Sequence, residues 1–219
     1  MAQQTLPQSE VYQGQFGEFT VTDNDRQSVI IYRVGLMVAA LCFAVASILV
    51  LFYPSVETFR WITPLFSCYA IALGVSLLTI HIYMGFLHRT LQAFWLIGCI
   101  SSFCIGHLDP EPFAVTVYTQ PLTLFGVGFI FAALTGIFFK EAFCFNRLET
   151  KVLTFTVPLL LLGHLAGVLP IIWERGLLAT WAILFFVFAV RKVIQAVPPD
   201  IGDKSVFEYL KSQRAAKAS

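Results

Sequence analysis

Residues 152–190 read VLTFTVPLLLLGHLAGVLPIIWERGLLATWAILFFVFAV, and only Glu174 and Arg175 carry a full charge in that stretch. As one helix it would rise roughly 58 Å at 1.5 Å per residue, about twice the hydrocarbon thickness of a bilayer. Two helices joined by a tight turn fit instead, with Pro170 and Gly176 as the breaks. The spacing therefore predicts spans at 152–173 and 176–197. The second reaches past Val190 only if Arg191 and Lys192 snorkel to the interface.

Working outward, four more stretches have the length and apolarity of a span. They are 34–53, ended by Pro54, then 61–84, 91–108, and 121–139 with Pro121 in its first turn, where no backbone donor is lost. The expected fold is an all-α membrane protein, a bundle of about six transmembrane helices filling residues 34–197. A polar segment, 1–33, precedes the bundle. A basic tail with a short helix, 198–219, follows Pro198 and Pro199. No cleavable leader is visible, so the first span reads as an uncleaved anchor. The composition agrees: 58% of the 219 residues are hydrophobic and 12% charged, whereas soluble domains carry about 25% charged residues.

The basic residues set an expected orientation. Of the 14 Lys and Arg, two lie in 1–33, one in the 85–90 loop, three in 140–151 and six from Arg191 onward. All of these fall on the side of the termini, leaving Arg60 and Arg175 for the other side. Both termini are thus expected to be cytoplasmic or stromal. A net charge of +1 gives no reason to expect a nucleic-acid partner. The five Cys have no CxxC spacing, so neither a disulfide framework nor a zinc site is indicated.

Chemistry-bearing motifs are sparse. There is no HExxH, no GxSxG turn and no Gly-rich phosphate loop. No Asp, Glu, Lys or Arg is expected deep in any span, which argues against ion-coupled transport. The intramembrane candidates are His164, His81 and His107, at depths of about 18, 6 and 24 Å from the terminus side. The open readings are helix-packing histidines, ligands of haem or chlorophyll, and proton carriers. The unequal depths disfavour a bis-His haem and leave a single-ligand pigment. His107, Asp109 and Glu111 in the outer loop read as a solvated turn rather than a metal site. Small residues recur at four-residue spacing: Gly98, Ser102 and Gly106; Gly128, Ala132 and Gly136; Gly163 and Gly167. Such faces let helices pack closely, within the chain or against a partner helix or flat pigment ring.

Three stretches carry a family resemblance. They are YQGQFGEFT at 12–20 with Asp25-Arg26 and Tyr32-Arg33, KEAFCFNRLE at 140–149, and VFEY at 206–209. Together they resemble the uncharacterised integral membrane family of cyanobacteria and plastids, domain of unknown function 2301. The resemblance implies a thylakoid or plasma membrane, and it transfers no catalytic or binding residue. In that setting the expected role is a non-enzymatic accessory or assembly factor, with the lipid bilayer and other membrane-protein subunits as partners. The alternatives are a small-solute channel or transporter, and a redox protein with haem or chlorophyll on a single His. The three stretches are expected to form one docking surface on the terminus side.

Overall fold

The computed structural model describes residues 10–218; the side chains of Glu10, Glu208, Arg214, Lys217 and Ala218 lie outside the described residues. Ser205 and Glu208 have capping-box spacing in the sequence, but the Glu208 side chain falls in that excluded set, as do those of two of the tail's basic residues.

The described residues open with a β-hairpin within the polar segment; the sequence of 12–21, with its glycines and spaced aromatics, reads only as a short extended or interfacial segment. β1 (Glu10–Gly14) pairs antiparallel with β2 (Gly17–Val21), Tyr12 opposite Phe19 and Gly14 opposite Gly17. A two-residue loop joins the strands, and Gly17 at φ +137° takes a backbone shape that side chains disfavour. The helices follow: α1 (Asp23–Phe52), α2 (Val56–Thr79), α3 (Gly85–Leu108), α4 (Phe113–Thr119), α5 (Leu124–Phe145), α6 (Leu148–Leu165), α7 (Ile171–Ile194), α8 (Pro198–Ile201) and α9 (Ser205–Ala218). Six of them (α1, α2, α3, α5, α6 and α7) are long and apolar enough to cross a bilayer. The protein is an all-α membrane bundle with a small hairpin at one end.

Several helix ends differ from the sequence expectation for local reasons. α1 starts at Asp23 rather than near Val34. Thr22 is its cap: the Thr22 hydroxyl accepts the Asp25 amide at 3.3 Å, and Asp25 Oδ2 accepts the Thr22 amide at 2.8 Å. Asp25 therefore supports the cap from the third helical position. At 30 residues, α1 rises roughly 45 Å and its first turns overhang the hydrocarbon. α6 ends at Leu165, well short of 173. Gly167 adopts φ +66°, and the Val168 amide returns to the Gly163 carbonyl at 3.1 Å, which closes the helix before Pro170. The outer loop contains the short helix α4, which periodicity did not reveal.

The core lies where α1, α2, α5 and α7 meet, with Leu153 and Val157 of α6 completing it; Leu36, Leu73, Ile130, Leu134, Phe138, Phe185 and Phe188 are fully buried. α3 packs chiefly against α5 and leaves most of its surface outward. At the α3–α5 crossing a Cβ on Gly98 would stand 2.9 Å from the Ile130 Cα. At the α1–α2 crossing one on Gly35 would stand 2.7 Å from the Ala72 carbonyl oxygen. Both glycines permit backbone contact that any side chain would prevent.

Candidate functional site

The end of the bundle that carries both termini holds a network of buried charge. Arg33 on α1 donates from Nε and Nη2 to Asp200 Oδ2 on α8, at 2.9 and 2.6 Å. Its remaining donors reach the carbonyls of Gln195 and Ala196 at 2.5 and 2.8 Å. Lys192 on α7 lies 2.7 Å from Glu141 Oε2 on α5 and also pairs with Asp200 Oδ1. Lys140 meets Glu141 Oε1 at 2.9 Å, and the Tyr32 hydroxyl donates to the same oxygen at 3.3 Å. The Lys192 ammonium also sits 4.2 Å from the Phe145 ring centre. The side chains of Lys192 and Glu141 have no exposed surface, and that of Asp200 has 3%.

These charges stand toward the ends of the spans rather than deep in any of them, and their burial within the bundle is a feature the sequence reading did not include. The network corrects the snorkelling expected of Lys192, whose carboxylate partners lie inward. A charge taken out of water costs several kcal/mol unless it is paired and hydrogen-bonded, and here Arg33, Lys192, Glu141 and Asp200 each have at least two polar partners. The location follows from α1: Arg33 lies about ten residues in, roughly 15 Å from the helix start, near the edge of the hydrocarbon.

The network extends to the surface segments. Arg147, between α5 and α6, donates to Gln195 Oε1 at 2.5 Å, and Arg191 pairs with Glu149 at 2.9 Å. The hairpin turn is held by the corner before α9. Asp203 Oδ2 accepts the Gln15 amide at 2.6 Å, and the Ser205 hydroxyl accepts the Phe16 amide at 3.1 Å. The Gln15 bond, with those from the Ser205 hydroxyl and amide, holds the Asp203 carboxyl below its ordinary value. Phe16 stacks on Tyr209 with ring centres 4.0 Å apart, and Lys204 pairs with Asp25 at 2.8 Å. Tyr83, between α2 and α3, accepts the Asp203 amide and packs its ring on Phe207 at 4.9 Å.

Both recognisable C-terminal stretches therefore belong to one assembled face, as does the hairpin. A family model described as "Uncharacterized integral membrane protein (DUF2301)" matches residues 75–209. The chain belongs to the DUF2301 family. That match holds Glu141, Arg147, Lys192 and Asp200, while the hairpin and Arg33 lie ahead of it. No curated protein matches this DUF2301 member. No solved structure matches it either.

The histidines scatter through this family member. His164 stands in the last turn of α6 rather than at mid-span. Its Nδ1 faces Glu174 Oε1 at 2.6 Å, its Nε2 faces the Tyr118 carbonyl at 3.0 Å, and its ring stacks on Tyr118 at 4.8 Å. Both nitrogens are engaged, so neither is free to ligate haem or chlorophyll in this arrangement. His107, near the end of α3, is exposed and bonds the Phe103 carbonyl through Nδ1 at 2.8 Å. His81 sits between α2 and α3, where burial pushes it below its ordinary value and Nδ1 is buried without a hydrogen bond. Asp109 accepts the Glu111 amide at 2.9 Å and Gln120 at 3.1 Å, the bonding of a closed turn. Among the described residues no group of three His, Cys, Asp or Glu stands in metal-holding geometry.

The small-residue faces divide in the same way. Gly98 and Gly136 sit at close contacts, with Ile130 and Leu91 respectively. Ser102 is buried and donates to the Gly98 carbonyl at 2.7 Å. Ala132 is half-buried, whereas Gly106 and Gly128 face near-open space. Gly163 and Gly167 form the end of α6 and its turn instead of a helix–helix contact.

Proposed function

We propose that the protein is a non-enzymatic accessory or assembly factor of a membrane complex, with both termini on the cytoplasmic or stromal side. One observation supports this most. The hairpin, the α5–α6 turn and the α8–α9 tail are far apart in the chain. At one end of the bundle they are joined through Asp203, Gln195 and Asp200. Holding them there requires buried charge that contributes nothing to apolar packing, as expected where a defined surface shape matters. Val11 and Phe16 are exposed on that surface, as is Phe143, which is 84% exposed.

The resemblance to a family of cyanobacteria and plastids supports a photosynthetic complex in a thylakoid or plasma membrane as the client. The test is native electrophoresis of gently solubilised membranes, with mass spectrometry of the co-migrating bands. Co-migration with photosynthetic subunits, lost in Val11→Asp, is the expected result. A protein that runs alone, in cells whose complexes accumulate normally without it, overturns the reading.

A further inference from the structure

The opposite half of the bundle encloses a cavity of about 590 Å³ between α1, α2, α5 and α7, with α4 and the end of α6 at its mouth. Small-molecule sites typically occupy roughly 300–1,000 Å³. The walls are mostly aliphatic and aromatic, Phe43, Phe66 and Phe131 among them. The polar lining includes Ser47 and Thr119 and a set already bonded within the chain, His164, Glu174, Tyr118 and Arg175; two further polar groups stand apart from these. Tyr69 and Trp181 line the cavity and are each 2% exposed, yet the Tyr69 hydroxyl and the Trp181 indole N–H have no hydrogen-bond partner among the described residues. An orphaned buried donor costs about 1–3 kcal/mol.

The fold satisfies such a donor elsewhere: the Trp95 indole N–H donates to the Ala70 carbonyl at 2.8 Å. Tyr69 and Trp181 also belong to one aromatic cluster. Phe131 lies 5.9 Å from the first ring and 5.2 Å from the second, and Phe43 lies 6.2 and 4.4 Å away. Two neighbouring donors in an apolar aromatic chamber call for a ligand with the opposite pattern: an apolar ring bearing acceptor oxygens. An acyl chain offers no acceptor. An alcohol can donate to the Tyr69 oxygen, but the Tyr69 hydrogen is then left without an acceptor in this pair, whereas a carbonyl-bearing ring takes both hydrogens.

We propose that this cavity binds a lipid-soluble ring compound of the quinone class, its carbonyl oxygens accepting from Tyr69 and Trp181. The site is independent of the docking surface at the other end, and a negative result leaves that reading untouched. The probes are duroquinone, whose ring carbons bear no hydrogen for the Cys42 thiol at the wall to displace, and hexamethylbenzene, which has the same outline and no acceptor. Equilibrium dialysis of the full chain in detergent is expected to show one saturable duroquinone site, at least tenfold tighter than hexamethylbenzene. Tyr69→Phe and Trp181→Phe should each weaken duroquinone about tenfold and leave hexamethylbenzene unchanged. Ala46→Phe, which fills the cavity from α1, should abolish both. Absence of saturable binding, equal affinity for the two probes, or binding that survives Ala46→Phe overturns the proposal. Should either donor variant fail to fold, the two-probe comparison and Ala46→Phe decide alone.

Discussion

The Lys192 ammonium and the Glu141 carboxylate, 2.7 Å apart and both withdrawn from solvent, join α7 to α5 at the end of the bundle that carries the termini. Removing one partner leaves the other with a single counter-charge, Lys140 for Glu141 or Asp200 for Lys192, in a place water does not reach. Lys192→Met and Glu141→Gln should each destabilise the protein by roughly 1–3 kcal/mol. The double variant should cost clearly less than the two together, because both single variants lose the same 2.7 Å pairing. Denaturant unfolding in detergent micelles measures the cycle, and strict additivity would mean that the pair does not interact.

The hairpin should detach in acid. The Asp203 carboxyl is held low by the Gln15 amide and by Ser205. A depressed carboxyl stabilises the docked state in full above its unfolded value near 3.8. That contribution is lost as the pH falls from there through the folded value. Hydrogen exchange at the Gln15 and Phe16 amides, corrected for intrinsic rates, should therefore quicken below about pH 4. In Asp203→Asn it should be fast at neutral pH and without that transition.

Gly98→Leu should separate α3 from α5. Its side chain would enter the Ile130 backbone, and overpacking of this kind costs about 1–3 kcal/mol. Gly128→Ala faces near-open space and should be neutral or slightly stabilising, by up to about 1 kcal/mol from helix propensity. Thermal unfolding of the two variants side by side checks both. An equal loss would mean that the small residues act through something other than close approach.

His164→Phe should free α4. The imidazole ties α6 both to Glu174 of α7 and to the Tyr118 carbonyl of α4. With it gone, amide exchange across 113–119 should rise several-fold while the core amides of α5 stay protected. Unchanged exchange in α4 would show that Phe113 and the Tyr118–Glu174 bond hold it unaided.

The bundle was legible because a bilayer imposes length and apolarity on every span, and both can be read without contacts. The charge network was not. Arg33, Glu141 and Lys192 each fall at the margin of an apolar run, where a charge normally reads as the end of a span. Only the pairing of three margins from distant parts of the chain turns them inward. The one signal on offer was the recognisable stretch around Lys140–Glu149, whose acidic residues gain meaning once α7 and α8 are beside them. The histidines misled for the converse reason. His164 looked central because the run continued to Trp173, whereas a left-handed Gly167 stops α6 at Leu165. The hairpin was not read from the sequence: Gly14 and Gly17 flank its turn, but the turn amides are held by residues nearly the whole chain away.

The buried pairs also impose an order on synthesis. Arg33 leaves the ribosome well before Asp200, the carboxylate that neutralises it, whereas Glu141 emerges beside Lys140 and waits only for its second cation, Lys192. Until α7 and α8 arrive, α1 carries an unanswered guanidinium at the rim of the membrane, so the closing of this end of the bundle is among the last steps of assembly.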